Sequence, residues 1–253
     1  MIKIKTLTRY PFKSLSGESK NTLTVNDQGK IDLDRIAAFR IGNNSDYDGK
    51  WKSKINYLSL MHVPYLSLIQ LTFDDKTKII SIKIEEGKKE KFQFSEMSLI
   101  EEKIEEFLMT KGFNKKFRLI FPNDSSSFHD SETGLISLHS EASENELNSF
   151  SGDVEGTRFR TNIVVKNCLP FEELDWIGKK LIIGNLTFKV TKSITRCMAV
   201  NCNPEKGIYD LNILKMLPKL NLIKEPTFGV KLELVSGPGL IKIKDKVSIL
   251  LKS

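Results

Sequence analysis

Arg196 and Cys197 stand side by side after an alternating apolar run, Leu186 to Ile194, and shortly before the turn-forming Asn203-Pro204-Glu205-Lys206-Gly207. A guanidinium beside a thiol favours the thiolate, the form that attacks electrophiles and binds soft metals. Two readings of Cys197 are open: a reactive or ligating thiol, or a small residue in a core, where free cysteine is common. Cys168 and Cys202 are read as structural. Cys197 and Cys202 lie five apart, and His62, His129 and His139 are distant in sequence, a spacing that fits no zinc pattern.

Other segments carry residue types that hold anions. Tyr10-Pro11-Phe12-Lys13-Ser14 opens the chain's first turn, and Asp34-Arg35 follows. Arg158-Phe159-Arg160-Thr161-Asn162 precedes an apolar strand pattern, and Thr195 directly precedes Arg196. Forked guanidinium and ammonium donors suit a phosphate. Each also has an ordinary alternative: Lys13 and Ser14 as solvated turn residues, Arg35 paired to Asp32 or Asp34, Arg160 as an exposed strand residue.

The elements that must position these residues are mostly strands. Ile2 to Leu7 alternates, and residues 32–41 read as a strand entered through a charged turn. Leu66 to Phe73 and Ile79 to Glu85 read as a hairpin. Leu99, Ile100, Ile104, Phe107 and Leu108 share one helical face, closed by Lys111-Gly112. Ser143 to Glu146 fits a capping box for a second helix carrying Leu147 and Phe150. Strands are expected at Asn162 to Lys166, Lys180 to Ile183, Leu186 to Thr191, Val230 to Val235 and Ile241 to Leu251. A short helix from Leu211 is expected to end at Pro218. The pattern implies a mostly β chain with some α, folded as two β-barrel-like domains. The Ser/Asp-rich stretch 122–127 puts the boundary between residues 1–122 and 123–253.

Bulk properties narrow the function. The 253 residues carry 39 Lys+Arg against 32 Asp+Glu, a net charge of +7, which favours an anionic partner. The lysines are scattered and not interleaved with aromatics, so nucleic-acid binding has only the charge behind it. No apolar run reaches the roughly 20 residues of a membrane span. The N-terminus enters a strand pattern directly, so a cytoplasmic protein is expected. No phosphate-loop, dinucleotide-binding or nucleophile-elbow motif is present.

The order and spacing of these segments resemble the MOSC-domain family, which includes the amidoxime reducing components and their bacterial relatives. The likeness runs from about residue 2 to about residue 250. Tyr10-Pro11-Phe12-Lys13-Ser14 resembles the family's opening motif. Phe159-Arg160-Thr161-Asn162-Ile163-Val164 resembles Phe-Arg-Pro-Asn-Ile-Val. Arg196-Cys197 and Val200-Asn201-Cys202-Asn203-Pro204-Glu205-Lys206-Gly207 resemble Arg-Cys and Val-Asp-Pro-x-Thr-Gly. Thr161 stands where the family has proline, and Asn203 where it has aspartate.

The resemblance implies a molybdenum cofactor, a molybdopterin, in the cleft between domains. Cys197 would be the molybdenum ligand and catalytic residue. Lys13, Ser14, Arg35, Arg160, Asn162, Thr195 and Arg196 would bind the cofactor. The implied activity is an oxidoreductase that reduces N-hydroxylated compounds. The electrons would come from a cytochrome b5-like protein or a ferredoxin/flavoprotein reductase, because no iron–sulfur or flavin motif is present. Pyridoxal phosphate binding is associated with the family at large, but no sulfurase domain is expected ahead of this chain. The alternative is a non-catalytic carrier of cofactor or sulfur, with a persulfide on Cys197.

Overall fold

The computed structural model describes residues 1–42, 52–74, 76–122, 126–152 and 154–250. In chain order the strands of the first half are β1 (Lys3–Arg9), β2 (Glu18–Lys20), β3 (Thr22–Val25), β4 (Ala38–Ile41), β5 (Ile69–Asp74), β6 (Ile79–Ile84), β7 (Glu90–Gln93) and β8 (Phe117–Ile120). Helix α1 (Met97–Thr110) lies between β7 and β8. The second half holds β9 (Ile136–Ser140), α2 (Glu141–Ser151), β10 (Ile163–Lys166), β11 (Lys180–Ile183) and β12 (Leu186–Thr195). It ends with α3 (Ile213–Asn221), β13 (Thr227–Ser236), β14 (Gly239–Lys242) and β15 (Val247–Leu250).

The chain is mostly β, as expected. Its main sheet has the order β15-β11-β12-β13-β9-β10-β1-β2. Leu186, Phe188 and Val190 alternate inward on β12, with Val230 and Leu232 on β13 and Ile136 and Leu138 on β9, to form its core. No strand ladder closes this sheet among the described residues. The start of β15 is instead tied to β1, the next-to-last strand, by an isolated bridge, Lys3 to Lys246, with Ile4 N donating to Asp245 O and Val247 N to Ile2 O, both at 3.0 Å. The result is barrel-like without being a closed barrel. The first half holds instead a three-stranded sheet β5-β6-β7 and a pair β4-β8, with α1 packed over them.

Strand β1 pairs with β10, and β3 with β14, so the first 25 residues join strands of the second half. Part of the linker-like stretch, residues 123–125, lies outside the described residues.

Several local expectations change. Residues 32–37 form a turn with Leu33 and Arg35 at positive φ, and only Ala38–Ile41 is strand. The cap of α2 is Ser140, whose Oγ accepts from Ser143 N at 3.1 Å, and Phe150 is exposed. Helix α3 runs through Pro218 to Asn221. Its buried Ile213 and Leu217, with the partly buried Leu220, pack on Phe228, and that packing outweighs the missing N–H. Residues 241–250 are split into β14 and β15 by a turn with Lys244 at φ 73°. No helix among the described residues is long and apolar enough to cross a membrane.

Candidate functional site

The Tyr10–Leu15 turn is pinned by its apolar members. Tyr10, Phe12 and Leu15 are buried, and Lys13 N donates to Ala37 O at 2.8 Å. With those side chains inward, Lys13 and Ser14 line a cavity of about 400 Å³. Lys13 Nζ donates to Phe128 O at 2.8 Å and pairs with Asp130. Burial pushes the Lys13 amine down, and Asp130 opposes that shift.

Arg35 reaches the same cavity from the next turn. It pairs with buried Asp34, and its Nη2 donates to Arg160 O at 3.0 Å. Asp34 also accepts from Tyr10 N at 2.7 Å and lies 3.1 Å from His129 Nε2. Burial alone would raise Asp34, but Arg35 and the hydrogen bonds from His129 and Tyr10 outweigh it and hold the carboxyl well below the usual range. Burial pushes His129 down to about 4 despite Asp34, so the imidazole is neutral at pH 7.

Arg160 and Arg196 come from the second half. Arg160 sits 4.4 Å from the Tyr10 ring centroid, with Arg35 at 5.0 Å, and it donates to Leu15 O. Arg196 donates to Phe228 O from Nε at 2.8 Å and Nη2 at 2.6 Å, and to Phe159 O from Nη1 at 2.8 Å. Among the described residues neither arginine makes an ion pair. Burial lowers each to about 10, so both stay charged at pH 7.

Ser14, Arg35 and Arg160 have φ of 65°, 53° and 50°. Non-glycine residues in this left-handed region cost energy and cluster where a site over-determines the backbone. Three such residues lining one cavity, from both of its walls, are an independent sign of a built site.

Cys197 is extended, at φ −124° and ψ 178°, and starts the single 3-10 turn Met198–Asn201. It is half-buried, free of any disulfide, and lines the cavity with Thr195 and Arg196. Buried Arg158 steadies the chain that follows: Nε bonds Glu155 at 2.6 Å, and Nη1 and Nη2 bond Asp210 at 2.7 and 3.1 Å. Asn203 accepts from Glu205 N and Lys206 N at 2.9 and 3.0 Å, and its amide donates to Asp210 at 2.5 Å. An aspartate at 203 could not donate to Asp210, which gives a physical reason for asparagine there.

The structure thus brings together Lys13, Ser14, Arg35, Arg160, Thr195, Arg196 and Cys197. Asn162 is absent from this lining. Its Oδ1 accepts from Ser137 N and Oγ, and its Nδ2 donates to Thr8 O, so it ties β10 to β9 and β1. Sequence reasoning missed Asp130, Lys192 and Lys231, which also line the cavity. The Phe228-Gly229-Val230 segment was the available signal for Lys231. Gly229 has φ 74°, and a Cβ there would lie 2.5 Å from Leu138 O, so the strand carrying Lys231 passes unusually close to β9.

The model of the MOSC domain matches residues 125–248. Mitochondrial amidoxime-reducing component 1 of Mus musculus is 31% identical over 149 residues, 54% of this chain and 42% of that protein. Mitochondrial amidoxime reducing component 2 of Rattus norvegicus is 41% identical over 76 residues, 30% of this chain and 22% of that protein. Molybdenum cofactor sulfurase of Caenorhabditis elegans is 38% identical over 74 residues, 29% of this chain and 10% of that protein. The chain therefore spans less than half the length of these relatives. The crystal structure of the YUAD protein from Bacillus subtilis covers 98% of this chain and 96% of that one, at a TM-score of 0.46 and 13% identity.

Proposed function

Taking the MOSC domain over residues 125–248 as premise, we propose that the chain binds a molybdenum cofactor in this cavity and reduces N-hydroxylated compounds. The observation that carries the reading is the convergence of a half-buried thiol, Cys197, with two arginines, Arg160 and Arg196, that no carboxylate neutralises among the described residues. A phosphate monoester is close to a dianion at neutral pH. Two unmatched guanidiniums in a partly dry site suit it, and Arg35 repels both until it binds.

The donor set also fits the metal. Among the described residues no group of three or more His, Cys, Asp or Glu forms a metal cage. One thiol is on offer, which suits a metal that arrives already held by its own organic ligand. When bound, that group would supply the oxygen-atom removal. Arg160, Arg196, Lys13 and Arg35 would hold the phosphate, and Ser14 and Thr195 would add neutral hydrogen bonds. Cys197 would be the protein's ligand. Asn162 supports the wall from behind.

Reduction of an N-hydroxyl breaks the N–O bond, consumes two electrons and two protons and releases water. The electrons would come from a cytochrome b5-like protein or a ferredoxin/flavoprotein reductase, and the basic chain suits an acidic donor. The division at residues 122/123 remains part of this proposal, with the cofactor between the two segments. A second reading rests on the similarity to molybdenum cofactor sulfurases: Cys197 would carry sulfur as a persulfide. The test is reduction of N-hydroxylated amidines by molybdenum-loaded protein with an artificial electron donor. Turnover that disappears in Cys197→Ala is the expected result. No turnover with any such compound, together with a persulfide on Cys197, would replace this reading by the second.

A further inference from the structure

Strand β12 carries a bulge whose consequence is a pair of facing lysines. Val190 pairs with Leu232 and points into the core, yet Lys192 pairs with Lys231. In an unbroken strand Lys192 would share the core face of Val190, because residues two apart lie on one side. The extra residue, Thr191, turns Lys192 to the opposite face, beside Lys231 and towards the cavity that both line. On the other side of Lys231, β9 contributes Ser137, so Ser137, Lys231 and Lys192 form a row across three strands.

Like charges directly opposite on a sheet are destabilising. Neither lysine makes an ion pair among the described residues, and Arg35 and Arg196 crowd Lys231 further. Burial and these two arginines push Lys231 down to about 7, against the opposing pull of Asp130 and Asp34. Gly134, at φ 61°, lets the chain close on this spot: a Cβ there would lie 2.9 Å from Lys231 Cβ and 3.0 Å from Thr191 Oγ1. The bulge and the glycine turn therefore both seat Lys231, a largely buried amine beside two arginines, next to the exposed Lys192, an arrangement whose cost an anion would relieve.

The charge balance of the cavity agrees. Lys13, Arg35 and Arg158 are matched by Asp130, Asp34 and the Glu155/Asp210 pair. Arg160 and Arg196 suffice for one phosphate dianion. Lys54, also in the lining, acts on Asp130, and Lys192 and Lys231 remain without an ion pair among the described residues, with Asp130 and Asp34 only partly offsetting the field at Lys231.

We propose that Lys192 and Lys231 form a second anion subsite of the same cavity, taking a second phosphate-class group beyond the one held by Arg160 and Arg196. The subsite rests on the cofactor reading only for the identity of its neighbour. Its anion belongs either to a diphosphate that bridges both positions or to a separate anionic molecule.

Titration calorimetry on the full chain with inorganic phosphate and pyrophosphate tests this. The variants are Lys192→Met/Lys231→Met, Lys231→Arg and Arg160→Ala, each checked by thermal melting. Wild type should bind pyrophosphate at least tenfold more tightly than phosphate. The double methionine variant should lose that advantage while its tighter phosphate site stays within twofold of wild type. Lys231→Arg should retain it. One pyrophosphate per chain indicates a bridging diphosphate, and two phosphates falling to one in the double variant indicate separate anions. Equal wild-type affinities with a single phosphate per chain, or a double variant that weakens both anions alike or neither, would overturn the subsite. Loss of phosphate binding in Arg160→Ala tests the first position separately. If that loss is missing while the lysine effect persists, the cofactor reading fails and the subsite stands.

Discussion

The two walls of the cavity solve the same electrostatic problem differently. On the N-terminal wall Lys13 has Asp130 and Arg35 has Asp34, with His129 and Tyr10 N bonded to Asp34 as well, and Lys54 lends its charge to Asp130 without an ion pair among the described residues. On the wall built from the MOSC domain, Arg160 and Arg196 are held by backbone carbonyls, and Lys192 faces Lys231. A carbonyl positions a guanidinium without neutralising it. The first wall is therefore a rigid frame that the fold completes by itself. The second is complete only with an anion present, and its stability is traded for affinity.

The sharpest way to break this comparison is to disturb the frame. Asp34→Ala strands Arg35 and leaves Tyr10 N without its acceptor, all in a buried position. Removing one partner of such a pair costs about 3–5 kcal/mol. Chemical denaturation should show a loss of that order, and a loss below about 1 kcal/mol would mean the frame is not electrostatic. On the opposite wall Arg160→Gly should cost little or stabilise the anion-free protein. Residue 160 sits at φ 50°, which glycine adopts freely, and one repelling cation disappears. The same change should abolish the rise in melting temperature that phosphate gives wild type.

A third test is stability against pH. Lys231 is depressed in the fold to about 7, against about 10.4 in an unfolded chain. Between those values the unfolded chain binds more protons, so anion-free stability should rise with pH from about 7 towards 10. The rise should be several kcal/mol, about 1.4 kcal/mol for each pH unit in that window, and absent in Lys231→Met. The frame behaves oppositely. Asp34 is held low in the fold, so its contribution is present above about pH 4 and is lost as pH falls further. The smallest expected effect is Asn203→Asp, which sets a second carboxylate against Asp210. Losing that hydrogen bond should cost about 1 kcal/mol, visible as a lower denaturation midpoint.

How much was legible in the sequence follows the same division between local and distant causes. The β5-β6 hairpin was readable because alternation and its turn lie within a few residues, and α1 because its apolar positions recur at helical spacing. The convergence of Lys13, Ser14, Arg35, Arg160, Thr195, Arg196 and Cys197 came through the order of motifs, not through any pattern within one of them. What was not legible needed partners far along the chain. The strand expected over residues 32–37 is a turn because Asp34 is drawn to Tyr10, Arg35 and His129. Asn162 is the right residue type for a ligand contact, but Ser137 and Thr8 take its amide. Lys192 could not be assigned to the cavity, because simple alternation puts it on the core face and only the bulge at Thr191 reverses that.

The proposed function requires that a thiol and unmatched cations together hold a molybdenum cofactor. Its most direct test is elemental analysis of protein made in a cofactor-competent host, comparing wild type, Cys197→Ala and Arg160→Ala/Arg196→Ala. Near-stoichiometric molybdenum in wild type is predicted, with at least tenfold less in the double arginine variant and a loss or an altered metal spectrum in Cys197→Ala. No molybdenum in wild type, or equal molybdenum with the same spectrum in all three proteins, would contradict it.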